Sequence, residues 1–163
     1  MLISLPSGLR LRPLQDRDLP AVLAIETAAY ISPWSLQSFQ DCLLVGYRAW
    51  VLERKGSLMG YGLMSVGADE AHILNCCIDP QQQRQGYGKR ILRHLLNLAK
   101  QEGVKTVFLD VRVSNQAAIQ LYLREGFWPI GRRKNYYVDG PTQMEDGFEL
   151  ALELFDDSVF SLS

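Results

Sequence analysis

The spacing of hydrophobic and polar positions changes several times along the chain, and each change marks an element. Residues 8–14 alternate apolar and polar through Leu9-Arg10-Leu11-Arg12, the two-residue period of a half-buried strand. Leu19, Val22, Leu23, Ile25 and Ala29 then recur at helical spacing. Asp16 or Asp18 can cap that helix, and Pro20 is tolerated in its first turn. Pro33-Trp34-Ser35 opens a second short helix, capped by Ser35, with Leu36 and Phe39 facing inward. Segments 47–54 and 57–66 predict a hairpin around Lys55-Gly56, and 70–78 predicts another strand. Residues 86–102 carry Ile91, Leu92, Leu95, Leu96 and Ala99 at helical spacing, with His94 on the polar side and Gly103 as the stop. Residues 105–113 are rich in β-branched and aromatic residues, as a strand is. Ser114 or Asn115 caps a helix that runs to Glu125 and closes at Gly126. Segments 127–138 and 146–154 predict a final strand pair, followed by a polar tail from Asp156 that is expected to fray.

The resulting order is β-α-α-β-β-β-α-β-α-β-β. Strands first follow one another and then alternate with helices, which predicts an α/β fold with a mixed sheet and helices on both faces. At 163 residues the chain reads as one domain, 1–163, with a core over about 8–154. An apolar fraction of 47% excludes a disordered or collagen-like chain. The net charge of −1 argues against direct nucleic-acid binding or an anionic membrane surface. Cys42, Cys76 and Cys77 form neither a disulfide framework nor a metal-ligand spacing, and His72 and His94 are too isolated for a metal site. Arg10 and Arg12 interrupt the short apolar start before a signal-peptide core forms, so the expected location is cytoplasmic.

Chemistry enters at Gln83-Arg84-Gln85-Gly86-Tyr87-Gly88, between a strand and the strongest helix. With 13 glycines in 163 residues, about one Gly-x-Gly is expected by chance. Position gives this one its weight. Glycines at a helix mouth let bare backbone N–H groups approach a phosphate, and Arg84 and Lys89 add cations beside them. No Gly-Lys-Ser/Thr follows, and the third glycine of a dinucleotide fingerprint is absent. An ordinary glycine-eased helix start is the lesser alternative for the turn alone.

A second stretch changes that balance. Asp79-Pro80 precedes the glycine turn and its Lys89, and after one more strand comes Asn115-Gln116-Ala117-Ala118-Ile119-Gln120-Leu121-Tyr122-Leu123-Arg124-Glu125-Gly126-Phe127. Together the two stretches resemble the hallmark segments of the GNAT family of acyl-CoA-dependent N-acetyltransferases. The likeness runs from about residue 9 to 154. Trp34 and Phe39 after Pro33, Asn75-Cys76-Cys77-Ile78-Asp79-Pro80, and Arg132-Arg133-Lys134-Asn135-Tyr136-Tyr137 look like the RimI branch of that family. Enzymes of that branch acetylate the N-terminal alanine of a small-subunit ribosomal protein.

The resemblance implies a mostly antiparallel sheet with a splayed parallel pair, and acetyl-CoA as cosubstrate with no metal. It implies that backbone groups around Cys76, Cys77 and Ile78 hold the acetyl-pantetheine arm, with Asn115 on its other side. Backbone N–H groups of Arg84, Gln85, Gly86, Tyr87, Gly88 and Lys89 hold the pyrophosphate. Tyr122 stands near the thioester sulfur as general acid, and Asp110 aligns with the general base. The branch usually has Glu where this chain has Asp110, whose carboxylate reaches about 1 Å less far, so a bridging water is needed or the role lies elsewhere. Trp34, Tyr136, Tyr137, Glu145 and Asp146 are expected to flank a protein N-terminal peptide. Glu26, Asp41 and Asp139 are further acidic candidates for a basic residue of that peptide.

The residues support this chemistry on their own terms. A free α-amino group has a pKa of about 7.7–8.0, so roughly a tenth to a third is neutral near pH 7 and a weak base suffices. Core packing is the alternative for Tyr122, although the family resemblance favours the catalytic role; a partner at Arg112 or Arg133 is the alternative for Asp110, and a structural role is the usual one for the cysteines. A small amine or a lysine side chain as acceptor, and a non-catalytic acyl-CoA-binding module, stay open, as does a partner subunit.

Overall fold

The computed structural model describes residues 2–5 and 8–154; the expected fraying of the tail falls outside them. Its strands are β1 (Ile3–Ser4), β2 (Leu9–Pro13), β3 (Arg48–Arg54), β4 (Ser57–Gly67), β5 (Glu70–Ile78), β6 (Thr106–Arg112), β7 (Trp128–Val138) and β8 (Met144–Glu153). Its helices are α1 (Leu19–Ala29), α2 (Leu36–Val45), α3 (Tyr87–Gln101) and α4 (Gln116–Arg124). The strands form one sheet in the order β1-β2-β3-β4-β5-β6-β8-β7. Every neighbouring pair is antiparallel except β5 and β6. The two-residue β1 carries too short a pattern to be read from sequence. Among the described residues no helix is long and apolar enough to cross a membrane.

Helices cover both faces of the sheet. Val22 and Ile25 of α1 and Phe39 of α2 pack with Val51, Tyr61 and Leu63 on one face. Ile91, Leu92, Leu95 and Ala99 of α3, with Ile119 and Tyr122 of α4, fill the other. Helix α3 lies close because Gly62 offers no side chain: a Cβ there would stand 2.7 Å from Ile91 Cγ2.

The cap predictions divide. Ser35 Oγ accepts the Ser38 N–H at 3.1 Å, and Asn115 Oδ1 accepts the Ala118 N–H at 3.3 Å. Asp18 does not cap α1 with its side chain. Its carboxylate turns instead to Arg12, with bonds of 2.7 and 2.8 Å, and takes the Gln15 N–H. His94 also departs from its expected exposed position. Its ring is buried 4.0 Å from the Trp50 ring, centroid to centroid, and burial lowers its pKa. The helical wheel places His94 at the border of the apolar face, and the aromatic neighbour on β3 decides which side it takes.

Candidate active site

The sheet opens where its one parallel pair ends. Pairing of β5 with β6 runs only from Glu70↔Thr106 to Ile73↔Leu109, yet β5 continues to Ile78 and β6 to Arg112. The break follows from a bulge. On β4, Met64 pairs with Ile73 and Leu63 with Asn75, so Leu74 is an extra residue on β5. The bulge also exchanges faces. Ala71 and Ile73 pack toward α3, but beyond it Cys76 and Ile78 do so, while Cys77 joins the α1 layer. The diverging strands leave unpaired backbone on both inner edges, which an extended ligand can use as a strand partner.

A cleft of about 190 Å³ fills this opening. Ile73 to Cys76 form one wall and Leu109 to Arg112 the other, with Asn115, Ala118 and Tyr122 from α4 and its cap below them. Asp110 and Tyr122, from different elements, therefore share one cavity. Asp110 Oδ1 accepts from Arg133 Nε at 2.8 Å, and its Oδ2 lies 3.4 Å from the donating Tyr136 hydroxyl. The predicted Arg133 partner is thus present, and the carboxylate still lines the cleft. Arg112 pairs with Glu145 instead, and its guanidinium stacks 4.7 Å from the centre of the Tyr137 ring.

Tyr122 is buried edge-on against Phe127, at a centroid distance of 5.7 Å. Burial pushes its phenol well above the ordinary value, so the group is a protonated hydroxyl at neutral pH. Burial likewise raises the Cys76 thiol to about 12 and the Cys77 thiol to about 11. Both are thiols rather than thiolates near neutral pH, unsuited to nucleophilic attack. The Tyr30 hydroxyl donates to the Cys76 carbonyl across 3.4 Å, which shows that this carbonyl looks into the cleft.

The glycine turn stands at the mouth of α3. Gly86 is the N-cap in the left-handed region at φ 80°, and no side chain caps the helix. Arg84 is also left-handed, at φ 66°. Left-handed residues ahead of a helix start are the backbone pattern in which successive N–H groups can converge on an anion, and the helix dipole adds positive potential at that end. The Tyr87 side chain is buried below, its hydroxyl bonded to Arg54 and Gln85, so only its backbone is available to a ligand. Among the described residues no group of His, Cys, Asp and Glu is arranged to hold a metal ion.

A model described as the acetyltransferase (GNAT) family matches residues 11–127, the span that holds the splayed strands, the turn and α4. The chain belongs to the GNAT acetyltransferase family. It is 38% identical over 143 residues to the [ribosomal protein bS18]-alanine N-acetyltransferase of Escherichia coli K12, covering 86% of this chain and 95% of that one. The Haemophilus ducreyi enzyme of the same name is 32% identical over 139 residues, covering 85% and 96%. A crystal structure of the ribosomal-protein-S18-alanine N-acetyltransferase from Escherichia coli superposes with a TM-score of 0.84 at 36% identity, covering 91% of this chain and 95% of that chain. The Ard1 structure from Thermoplasma volcanium, 22% identical with a TM-score of 0.83, shares the fold.

Around this GNAT cleft the other candidates separate. Trp34 and Tyr137 line it, and Tyr136 reaches it through Asp110. Glu145 is engaged by Arg112 and by the Ser114 hydroxyl. Asp146 is engaged by Arg132 and the Asn135 N–H, which hold its carboxyl below the usual range. Asp41 accepts from Gln37 on the exposed side of α2. Glu26 lines the cleft but is 1% exposed. The acidic residues are thus mostly committed within the fold. Sequence reasoning missed Tyr30 and Ser32, which lie on the same connection as Trp34 and line the cleft with it. Their closeness to Pro33-Trp34 was the one available signal.

Proposed function

We propose that this GNAT acetyltransferase moves the acetyl group of acetyl-CoA to the N-terminal α-amino group of a protein, the N-terminal alanine of ribosomal protein bS18. The observation that carries the reading is the splayed β5–β6 cleft with Asp110 on one wall and Tyr122 below. Likeness to the bS18-alanine enzymes over most of the chain supports the choice of acceptor.

In this reading the acetyl-pantetheine arm lies along the free edge of β5 beside Cys76 and Ile78, with Asn115 opposite. The uncapped N–H groups from Arg84 to Lys89 take the pyrophosphate. The acceptor amine attacks the thioester carbon. The C–N bond forms, the C–S bond breaks, and the electron pair leaves on sulfur. Asp110, directly or through a water, takes the proton that the amine sheds. A backbone N–H near Cys76–Ile78 stabilises the oxyanion, and the Tyr122 hydroxyl protonates the departing thiolate. Trp34, Tyr136 and Tyr137 wall the peptide, with Glu145 and Asp146 behind them. No enzyme-bound acyl group forms.

The test is mass spectrometry of an Ala-Arg peptide incubated with acetyl-CoA and the protein. The expected product is about 42 Da heavier, with the addition on the terminal amine. Faster transfer to a lysine side chain or a polyamine would reject the acceptor. Absence of any product alongside acetyl-CoA binding would reject catalysis.

A further inference from the structure

Glu26 is the most completely buried charged residue described, at 1% exposure, and no cation among the described residues pairs with it. Its three partners are neutral donors from three separate places. Oε1 accepts the Tyr61 hydroxyl of β4 at 2.5 Å and Asn75 Nδ2 of β5 at 2.8 Å. Oε2 accepts the backbone N–H of Trp34 at 2.8 Å. An apolar residue of similar volume would fill the same space without the cost of burying a charge. Packing therefore gives no reason for a carboxylate there, whereas the three bonds do.

Those bonds join two parts of the cleft that are otherwise built differently. The β5 wall belongs to the sheet and is held by the β4 ladder. A further side, with Tyr30, Ser32 and Trp34, is the α1–α2 connection and has no strand ladder of its own. Its aromatic ring is seated by Phe39, 5.2 Å away between centroids, but its backbone at Trp34 is seated by Glu26. The bulge at Leu74 makes this joint workable, because it turns Asn75 toward α1 while Cys76 faces the other layer.

We propose that Glu26 is a positioning residue for the acceptor: by tying Trp34 to β4 and β5 it sets the width of the cleft on the side the peptide enters. The inference rests on the proposed acceptor reading, in which Trp34 and Tyr30 meet the peptide while acetyl-CoA lies along β5. What matters is reach, not charge. Glutamine in place of Glu26 keeps one oxygen for the Trp34 N–H. Its amide then faces the Tyr61 hydroxyl, which accepts as well as donates, and Asn75, which accepts once its own amide is flipped. Aspartate keeps the charge but, one methylene shorter, cannot span both sides.

The experiment compares Glu26→Gln and Glu26→Asp in steady-state kinetics with an Ala-Arg peptide, alongside calorimetric binding of acetyl-CoA. Glu26→Asp is expected to raise the peptide KM by about 10-fold or more, with the acetyl-CoA Kd within about 2-fold. Glu26→Gln is expected to stay within about 3-fold on both. Equal losses in the two variants, or an acetyl-CoA Kd that moves with the peptide KM, would overturn the proposal. Should Glu26→Asp prove unfolded by circular dichroism, hydrogen exchange at the Trp34 amide of the wild type decides. Strong protection supports the tie, and exchange at the rate of an exposed loop overturns it. Wild-type turnover of the peptide tests the acceptor reading separately, since its absence removes that reading whatever the variants do.

Discussion

Replacing Tyr122 by phenylalanine separates packing from proton transfer at one position. The ring is buried against Phe127 and Ile119, and phenylalanine keeps all of that contact. The hydroxyl lines the cleft and makes no hydrogen bond to a described residue, so its loss strands no buried partner. The cost to stability is therefore expected to be under about 1 kcal/mol. The cost to catalysis is expected to be larger. Burial pushes the phenol above its ordinary value, so it carries its proton at neutral pH and cannot serve as a base there; its place in the cleft, not its acidity, makes it the candidate donor to the coenzyme thiolate. General-acid contributions of this kind amount to about 10²-fold in kcat, or about 2.7 kcal/mol. The assay is kcat and both KM values for acetyl-CoA and an Ala-Arg peptide, with thermal unfolding measured on the same sample. A variant within about 3-fold of wild-type kcat, or one whose stability falls as much as its activity, would refute the acid role and return Tyr122 to the core.

Three further outcomes are expected. Asp110→Asn should lower kcat by about 10²-fold while Asp110→Glu retains activity, measured by thiol release; full activity in the Asn variant would move the base elsewhere. Gly62→Ala should destabilise the fold by about 1–3 kcal/mol in urea unfolding, because its Cβ meets Ile91 and Leu95 at 2.7 and 3.0 Å; an unchanged midpoint would show that α3 shifts freely. Hydrogen bonds from Arg12 hold the Asp18 carboxyl below its ordinary range. That stabilisation is present above the unfolded value of about 3.9 and is lost as pH falls through the folded one, so Asp18→Asn should flatten the loss of stability below about pH 4. An identical acid slope in the two proteins would contradict it.

Much of the fold was legible because local periods carry it. Ile91, Leu92, Leu95 and Ala99 can only be one helical face, and the segments of β3 to β6 have strand composition. Gly86 at the mouth of α3 and Asn115 at the start of α4 follow from local backbone requirements, so their positions were readable too. His94 was misplaced because a border position on a helix wheel is settled by its neighbour across space, here Trp50. The pairing of Glu145 and Asp146 with Arg112 and Arg132 was equally hidden, since those partners lie 33 and 14 residues away along the chain.

Apart from the two-residue β1, the sequence alone determined the elements, their order and the family motifs, because each depends on residues close together in the chain. Tertiary structure decided where the sheet opens. One extra residue, Leu74, exchanges the faces of β5 midway, and a two-residue period cannot reveal such a slip without the partner strand. From that slip follow the edge of β5 left without a β6 partner beyond Ile73, the turn of Asn75 toward Glu26, and the cavity that brings Asp110 and Tyr122 together. Register is a relation between strands, and only the assembled sheet contains it.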